Sequence, residues 1–529
     1  RTIKVFFKGS EIPIYFSGQD NGVFDDTDFM DFYGQRNYGG NTIAYKEQGG
    51  TNVLDYTTNE YYNMYSDTSV YWVGWDGANG LRYKNYNFFS PNAYSQNFFY
   101  TTVHFEKDLI YSLGEKRSST DYRNFNNEKV SGEGWYWREM NRGNSVSDTF
   151  RTPFLAQDSQ PCTLKVFAYP NSYVDSIFNE HRLIVRVNGS VVDTLKTDNY
   201  KRIDTTVIFS SSLLSATSLN QLSFTYTGAG TYVGVMFFDN FEISYPKKFD
   251  FDNSRIMFST NNSDTSGVKY RISGYNGAQS HSVYDVKNNM RIIGISLSSD
   301  TLTFTGKLNG KFEVNNNNVT KKPFRIKQRS VPNLVTNLQG ADYLIVYNKI
   351  LESSAEQLRQ YRAIKDGYRS AKFEIEDIYD VFNYGIESPI AVKYFVKNIY
   401  DNWQPPKVKY LCLFGRGSLD PKRNSSSSIY YQNLVPVYGN PPSDGYFGNF
   451  NVGTFTYYHQ ISVGRIPAYT NQEGNNIVSN IIQYENQFTT PEKWFKNFVF
   501  ITGGMTIQEQ IQFANQSNYF INTYIKPPP

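Results

Sequence analysis

A run of seven residues, Ala341-Asp342-Tyr343-Leu344-Ile345-Val346-Tyr347, marks the point at which the pattern of this sequence changes. Its apolar centre is short and continuous, as in a strand that is buried on both faces. Ser353-Ser354 follow as helix caps, apolar residues recur at Leu358 and Ile364, and Gly367 provides a stop signal. The stretch therefore predicts a buried strand followed by an amphipathic helix.

The same alternation of strand and helix continues to the end of the chain. In order, the later predicted elements are a strand at 371–375, a helix that begins at Ser388-Pro389, a strand at 408–414, a helix at 476–486, a strand at 498–501 and a helix at 507–525. Alternating strands and helices indicate a parallel sheet with right-handed crossovers. Because so few strands are predicted, we expect residues 331–529 to be only the first half of an α/β domain.

Residues 1–330 show a different pattern, in which short β-like runs are separated by clusters of Gly, Asn and Asp. Strands at this spacing are typical of sandwiches and barrels. The clearest run, 181–190, alternates with period two and ends in an Asn188-Gly189 hairpin turn. We predict a β-rich N-terminal domain at 1–105, a jelly-roll-like β-sandwich at 106–248, a small β module at 249–330 and the α/β domain at 331–529.

The composition fits a large, β-rich protein. A chain of 529 residues is too long for a single core, and its 44 Tyr and 40 Phe suit pleated, half-buried surfaces. With 52 basic and 49 acidic residues the formal charge is +3, so nothing in the charge points to nucleic acid or an anionic membrane as a partner.

The ends of the chain suggest processing. It begins with Arg1 and ends with Lys526-Pro527-Pro528-Pro529 directly after a helical pattern. We therefore expect that a signal peptide has been removed and that further sequence follows residue 529. No apolar run is long enough to cross a bilayer, which predicts a protein without a transmembrane segment.

Two glycine-rich segments follow predicted strands of the α/β domain, one at 414–420 and one at 502–504. In an open parallel sheet, ligands bind outside the carboxyl ends of the strands. The acidic loop at 441–448 should reach the same edge. We predict that the rim of a substrate pocket is formed there by Gly415, Arg416, Gly417, Asp420 and Asp444. No Gly-Lys-Ser/Thr follows the glycines, which excludes a phosphate loop.

Candidates for nucleophilic catalysis are scarce in this chain. Its two cysteines, Cys162 and Cys412, fall in different predicted domains and indicate unpaired thiols. Cys412 lies within an apolar strand, which favours an inert core thiol. Of the four histidines only His459 falls in the α/β domain, and their spacing matches no metal site, so His459 is interpreted as structural. A Gly-x-Ser-x-Gly elbow is also lacking. The sequence thus predicts no catalytic pair among these residues.

An acidic turn is the candidate metal site. Five oxygen-bearing residues surround Gly22 and could wrap Ca²⁺: Asp20, Asn21, Asp25, Asp26 and Asp28. Their spacing does not match an EF-hand loop and lacks its terminal Glu. Because Asx-rich turns are common without a metal, an ordinary turn is the favoured interpretation and calcium binding is the alternative.

The order of segments in the α/β region resembles the gingipain-like (C25) cysteine peptidase family. The matching segments are 341–346, 376–386, 410–415, Ser443-Asp444 and 462–467. The β segments at 22–34, 181–188 and 239–245 look like the domains that precede the peptidase domain in large members. This family includes secreted proteases of Bacteroidota and the cell-surface sortase of their type IX secretion system.

The resemblance implies a caspase-like α/β domain whose Cys nucleophile and His would follow residue 529. It also implies a protein or peptide substrate, secretion components at the outer membrane as partners, and a secreted or cell-surface location. The leading hypothesis is a peptidase or transpeptidase. The alternative is an inactive surface binding or structural protein that keeps the scaffold.

One departure from the family bears on specificity. Many members carry Asp directly after the strand-end glycine, where this chain has Arg416. In gingipains that acid helps to hold a basic substrate side chain, which an Arg would repel.

Overall fold

The computed structural model describes the chain except for residues 19–20, 39–44, 49–50, 55–60, 89–92, 113–133, 157–159, 175, 231–232, 253–254, 261–266, 276–279, 308, 337–338, 426–432, 440–441, 451–458, 488–491 and 527–529. Within the described residues the predicted architecture is confirmed. Antiparallel β domains occupy the first part of the chain, and a parallel sheet flanked by helices follows.

The N-terminal region consists of short strands with a small core of Val5, Ile14 and Phe16. The strands are β1 (Lys4–Phe7), β2 (Ser10–Ile12), β3 (Ile14–Phe16), β4 (Met30–Phe32), β5 (Tyr45–Gln48), β6 (Thr51–Leu54), β7 (Tyr71–Gly74), β8 (Lys84–Tyr86) and β9 (Tyr94–Ser95). Strand β1 pairs antiparallel with both β2 and β7. Strands β8 and β9 leave this region and pair with strands of the third β region.

The second β region is a sandwich of two antiparallel sheets. Its strands are β10 (Phe98–Glu106), β11 (Ile110–Tyr111), β12 (Trp135–Tyr136), β13 (Arg138–Asn141), β14 (Ser145–Phe150), β15 (Pro161–Pro170), β16 (His181–Val187), β17 (Ser190–Thr197), β18 (Ile203–Ser210), β19 (Asn220–Tyr226) and β20 (Val235–Lys248). One sheet has the order β10-β20-β15-β18 and the other β14-β19-β16-β17, with an apolar core that both sheets line. Strand β10 pairs with β20 from Phe98 onward, so this sheet begins before residue 106.

The third β region has a core of its own between two sheets. Its strands are β21 (Arg255–Ser259), β22 (Val268–Ile272), β23 (His281–Asp285), β24 (Met290–Ile292), β25 (Ile295–Ser298), β26 (Thr301–Gly306) and β27 (Lys311–Asn316). The sheet orders are β21-β27-β23-β24-β8 and β25-β26-β22-β9. Two strands of the N-terminal region thus complete the third region.

The described residues of the α/β region form four parallel strands and five α-helices. They are β28 (Tyr343–Tyr347), α1 (Glu352–Lys365), β29 (Ser370–Glu374), α2 (Ile375–Phe382), α3 (Pro389–Asn402), β30 (Tyr410–Phe414), β31 (Ser462–Ile466), α4 (Asn471–Gln487) and α5 (Ile507–Phe520). The strand order is β29-β28-β30-β31. All three pairings are parallel, as predicted.

Side chains of the central strands alternate between two apolar layers. Leu344, Val346 and Leu413 pack on the side of α2 and α3. Ile345 and Phe414 pack on the side of α1 and α4. Burial on both faces explains why these strands are continuous apolar runs.

A local signal sets the start of α3 but not that of α1. Ser388 caps α3 by accepting a hydrogen bond from the Ile390 N–H at 3.2 Å, and Pro389 occupies the first turn. Ser353 and Ser354, predicted as caps of α1, lie inside its first turn and contact Asn471 at the start of α4.

The prediction of a strand at 498–501 was wrong. These residues have no strand structure, and Val499 and Ile501 are almost fully exposed. The fourth strand is β31, which the strand-like run after His459 forms. In the described part of the chain, no helix has the length and apolar character needed to cross a membrane.

Candidate active-site rim

The carboxyl ends of β28, β30 and β31 lie side by side at one edge of the sheet. The chain leaves β28 towards β29 on one side and returns as β30 on the other, so strand order reverses between β28 and β30. Crevices at such switch points are where open α/β sheets bind ligands. We call the described parts of the two loops that follow β30, residues 415–425 in the first and residues 433–439 and 442–448 in the second, the rim.

Gly415 and Gly417 are required by close packing inside the rim. Gly415 has φ +154°, and a Cβ built on it would lie 2.8 Å from Val435 Cγ2. A Cβ on Gly417 would lie 2.6 Å from Val437 Cγ1 and 2.9 Å from the Val435 carbonyl oxygen. Both glycines therefore let one rim loop lie directly against the other.

Arg465, at the end of β31, ties the rim together. Its guanidinium makes a two-point ion pair with Asp444, with Nε to Oδ2 at 2.7 Å and Nη2 to Oδ1 at 2.6 Å. Nη1 also donates to the carbonyl oxygens of Gly415 and Val435, both at 2.7 Å. Asp444, predicted as part of the pocket rim, is thus an anchor for Arg465, and this ion pair offsets its charge.

Arg416 lies where predicted, directly after the strand end. Its N–H donates to the Ala468 carbonyl at 2.9 Å, and its own carbonyl accepts from the Leu434 N–H at 2.8 Å. Its guanidinium carbon lies 4.7 Å from the centroid of the Tyr469 ring, within the range of a cation–π contact. Backbone hydrogen bonds to Ala468 and Leu434 therefore hold Arg416 in place, and its guanidinium packs on the face of the Tyr469 ring.

Asp420 is buried and shapes a turn. Its Oδ1 accepts from the Asn424 N–H at 2.8 Å, and its Oδ2 accepts from the Ser425 N–H at 2.9 Å. Its own N–H donates to Ser418 Oγ at 3.0 Å. The carboxylate therefore stabilises the turn of its own loop.

The sequence interpretation missed Glu387 and Asn433. Asn433 Nδ2 donates to Glu387 Oε1 at 2.8 Å, and Asn433 Oδ1 accepts from the Ser418 N–H at 3.2 Å. Burial raises the pKa of Glu387 to about 7, although the Asn433 hydrogen bond lowers it. A carboxyl of this pKa can give or take a proton at neutral pH. The only sequence signal near it was the helix cap that follows, Ser388.

Neither cysteine can act as a nucleophile at this rim. Cys412 is inside β30 and Cys162 inside β15, and both are buried. Burial raises the pKa of Cys412 to about 12 and that of Cys162 to about 11, which keeps both as thiols. His459 precedes β31 and therefore lies towards the opposite edge of the sheet from the rim.

The described part of the acidic turn is held by its own hydrogen bonds. Asp25 Oδ1 accepts from Thr27 Oγ1 at 2.7 Å, Asp28 Oδ2 from the Asp25 N–H at 3.2 Å, and Asn21 Oδ1 from the Val23 N–H at 3.0 Å. Asp20 lies outside the described residues. Among the residues that are described, no group of three or more His, Cys, Asp or Glu side chains is arranged to hold a metal ion.

Comparison with known proteins finds a family match over most of the α/β domain. Residues 336–527 match the model of peptidase family C25. A sequence search of curated proteins gives no match.

Among solved structures, the chain is similar to dimeric latent PorU from Porphyromonas gingivalis, at 16% identity and a TM-score of 0.62. The similarity covers 92% of this chain and 47% of that one, so this chain spans about half the length of that protein. At this level of sequence identity, the similarity shows that the two chains share a fold.

Two further similarities are too weak to indicate a shared overall fold. One is to the GH115 4-O-methyl-alpha-glucuronidase BtGH115A, at 12% identity and a TM-score of 0.16, covering 21% of this chain and 14% of that one. The other is to the sugar-binding EclA C-terminal domain, at 14% identity and a TM-score of 0.13, covering 25% of this chain and 99% of that one.

Proposed function

We propose that this chain supplies the N-terminal β domains and the substrate-binding half of a gingipain-like cysteine peptidase or transpeptidase. The observation that carries the proposal is the match of residues 336–527 to peptidase family C25. The parallel sheet supports it, because its rim lies at the switch point where such folds bind ligands.

In this proposal the rim orients a peptide, and the nucleophile and its base come from sequence that follows residue 529. Both cysteines of this chain are buried thiols, so a different thiol must attack the peptide carbonyl. Glu387 would provide a group at the rim that exchanges protons near neutral pH.

The rim favours a substrate side chain that is not basic. Arg416 brings a positive charge, while Asp444 and Asp420 are engaged with Arg465 and with backbone N–H groups. A Lys or Arg side chain entering here would meet the like charge of Arg416, while Asp444 and Asp420 are already engaged by other donors.

The biological setting is also part of the proposal. We propose that the protein works outside the cell or on its surface within a type IX secretion pathway, as a secreted protease or as a sortase that acts on other proteins. The overall similarity to PorU supports this setting. Calcium binding by the acidic turn stays the alternative to an ordinary turn, and calcium titration of the protein would distinguish the two.

The experiment that tests the function is labelling of the whole protein with a peptidyl acyloxymethyl ketone, which alkylates activated cysteines. We expect one labelled cysteine, located by mass spectrometry outside residues 1–529. The variants Cys162→Ser and Cys412→Ser should label as strongly as the parent. Absence of labelling would favour the inactive surface protein, and labelling lost in Cys412→Ser would refute the assignment of the nucleophile to a cysteine outside residues 1–529.

Specificity gives a separate prediction. Substituting Arg416 by Asp should raise cleavage after Lys or Arg by about tenfold or more relative to cleavage after uncharged residues, since about 1.4 kcal/mol corresponds to a factor of ten. Profiling of cleavage sites in a peptide library would measure this ratio. Arg423→Asp, in the same loop, is the matched control, and an unchanged ratio in Arg416→Asp would contradict the pocket.

A further inference from the structure

Residues 420–425 of the rim contact both of the first two β regions. Lys422 Nζ lies 2.9 Å from Asp67 Oδ1 and 3.8 Å from the centroid of the Tyr62 ring. Asn424 Nδ2 lies 3.5 Å from Tyr62 Oη and 3.3 Å from Asp108 Oδ2. Tyr62 and Asp67 belong to the N-terminal region, whereas Asp108 directly follows β10 of the sandwich.

A second contact holds the other rim loop. Tyr65 is buried in the apolar layer on the α2 and α3 side of the sheet. Its hydroxyl oxygen accepts a hydrogen bond from the Gly439 N–H at 3.1 Å. The segment 61–67 therefore attaches to both rim loops, about twenty residues apart in the α/β domain.

The first contact concentrates negative charge around Asp108. Among the described residues, its carboxyl faces the carboxylates of Glu106, Asp67 and Asp420 and the ammonium group of Lys422. Beyond these, His104 lies 2.7 Å from Glu106 and 3.6 Å from Glu242, and Arg36 lies 2.7 Å from Asp67. Asp108 Oδ1 is buried and has no hydrogen-bond partner among the residues that the structure describes.

This environment opposes ionisation of Asp108. Burial and the neighbouring carboxylate of Glu106 raise its pKa to about 7, against the opposing effect of Lys422. A neutral carboxyl fits between the loop and the sandwich, whereas a carboxylate would add a further negative charge beside Asp420 and Glu106.

We propose that Tyr65, Asp67, Asp108, Lys422 and Asn424 form a latch that clamps the rim to the two β regions while Asp108 is protonated and loosens when Asp108 ionises. The latch acts on the position of the rim whether or not the rim binds a peptide. It is therefore independent of the peptidase proposal.

The direction of the pH dependence follows from the raised pKa. In the loosened state Asp108 would regain the ordinary aspartate pKa of about 3.9. The latch is then at full strength below about pH 4 and weakens as the pH rises to about 7, by at most about tenfold in its equilibrium constant per pH unit. Water screens a partly exposed carboxyl, so the observed change should be smaller than this limit.

Hydrogen exchange of the whole chain tests the latch. Protection factors, corrected for intrinsic exchange, would be compared at about pH 5.5 and about pH 7.5 for peptides covering 416–425 and 433–439, with β15 as an internal reference. We expect rim protection to fall about threefold to tenfold between these two values, while β15 stays unchanged.

Substitutions make the result decisive. Asp108→Asn cannot ionise and should keep the rim equally protected at both pH values. Asp148→Asn removes a carboxylate paired with Lys107 and should keep the wild-type response. Lys422→Met should lower rim protection at both pH values.

Three outcomes would each overturn the proposal: wild-type protection that does not change with pH, a wild-type response in Asp108→Asn, or unchanged protection in Lys422→Met. None of these outcomes depends on peptidase activity.

Discussion

At the scale of single residues, the Arg465 guanidinium joins the end of β31 to both rim loops through Asp444 and several carbonyl groups. Arg465 leaves 12% of its side chain exposed and binds Asp444 together with the carbonyls of Gly415, Val435 and Pro436. A guanidinium suits this position because its donors point in fixed, planar directions. An ammonium group could not reach the same set of acceptors.

Arg465→Met should destabilise the α/β domain by about 3 kcal/mol, because it leaves the Asp444 carboxylate and three carbonyls without their donor. Urea unfolding would measure the loss. Lys397→Met is the matched control, since Lys397 pairs with Asp401 on an exposed helix face and such a pair contributes about 0.5 kcal/mol or less. Equal losses in both variants would contradict the role given to Arg465.

Gly415→Ala should cost about 1–3 kcal/mol, because the added methyl group meets Val435 and the backbone has a φ of +154°. Gly464→Ala, in β31, has no atom within 4 Å of the added Cβ and should change the free energy of unfolding little. Thermal unfolding of both variants would check this. If Gly415→Ala were as stable as Gly464→Ala, the rim loops would be able to shift and accommodate the added methyl group.

At the scale of elements, α1 and α4 are joined by a partly exposed ion pair between Arg362 and Glu485. Arg362 donates to Glu485 from Nη1 at 3.0 Å and from Nη2 at 2.9 Å, and Tyr361 Oη donates to Glu485 Oε2 at 2.9 Å. Burial opposes ionisation of Glu485, but these hydrogen bonds outweigh it and lower its pKa. The pair stabilises the docking of α4 on α1.

A lowered pKa fixes the sign of the acid response. Glu485 stabilises the fold above the ordinary glutamate pKa of about 4.3, and this contribution is lost as the pH falls below that value. Glu485→Gln should therefore be less stable than the parent at neutral pH, and the difference should shrink at about pH 3. Unfolding midpoints at both pH values would measure it. A difference that grows on acidification would contradict the assignment.

Elements with a local signal could be predicted from the sequence, whereas pairings between distant residues could not. The strands β28 and β30 are apolar runs, and Ser388-Pro389 mark the start of α3. The two strands and this helix could therefore be predicted. The run at 498–501 has the same apolar signal, yet it is exposed, because burial depends on a partner surface that a short run does not encode. The predicted rim carboxylates lie at the expected edge, but their engagement by Arg465 and by backbone N–H groups depends on the folded geometry.

At the scale of the whole molecule, the β regions contribute to the stability of the α/β domain. Tyr65 belongs to the apolar layer of that domain although it lies far from it in sequence, and Trp72 Nε1 donates to the Tyr384 carbonyl at 2.9 Å. The segment 61–72 thus connects the N-terminal region to the loop before α3 and to the rim. We infer that the rim is positioned from outside its own domain.

This connection predicts a graded series at Tyr65. Tyr65→Phe removes only the hydroxyl that accepts from Gly439 and should cost about 1 kcal/mol, whereas Tyr65→Ala also leaves a cavity in the apolar layer and should cost about 3–5 kcal/mol. Limited proteolysis should cut the rim of Tyr65→Ala faster than that of Tyr65→Phe, and leave the sandwich equally resistant in both. If Tyr65→Ala lost stability only in the N-terminal region, with the rim as resistant as in the parent, the β regions would be a separate appendage and the rim would be held by contacts within its own domain.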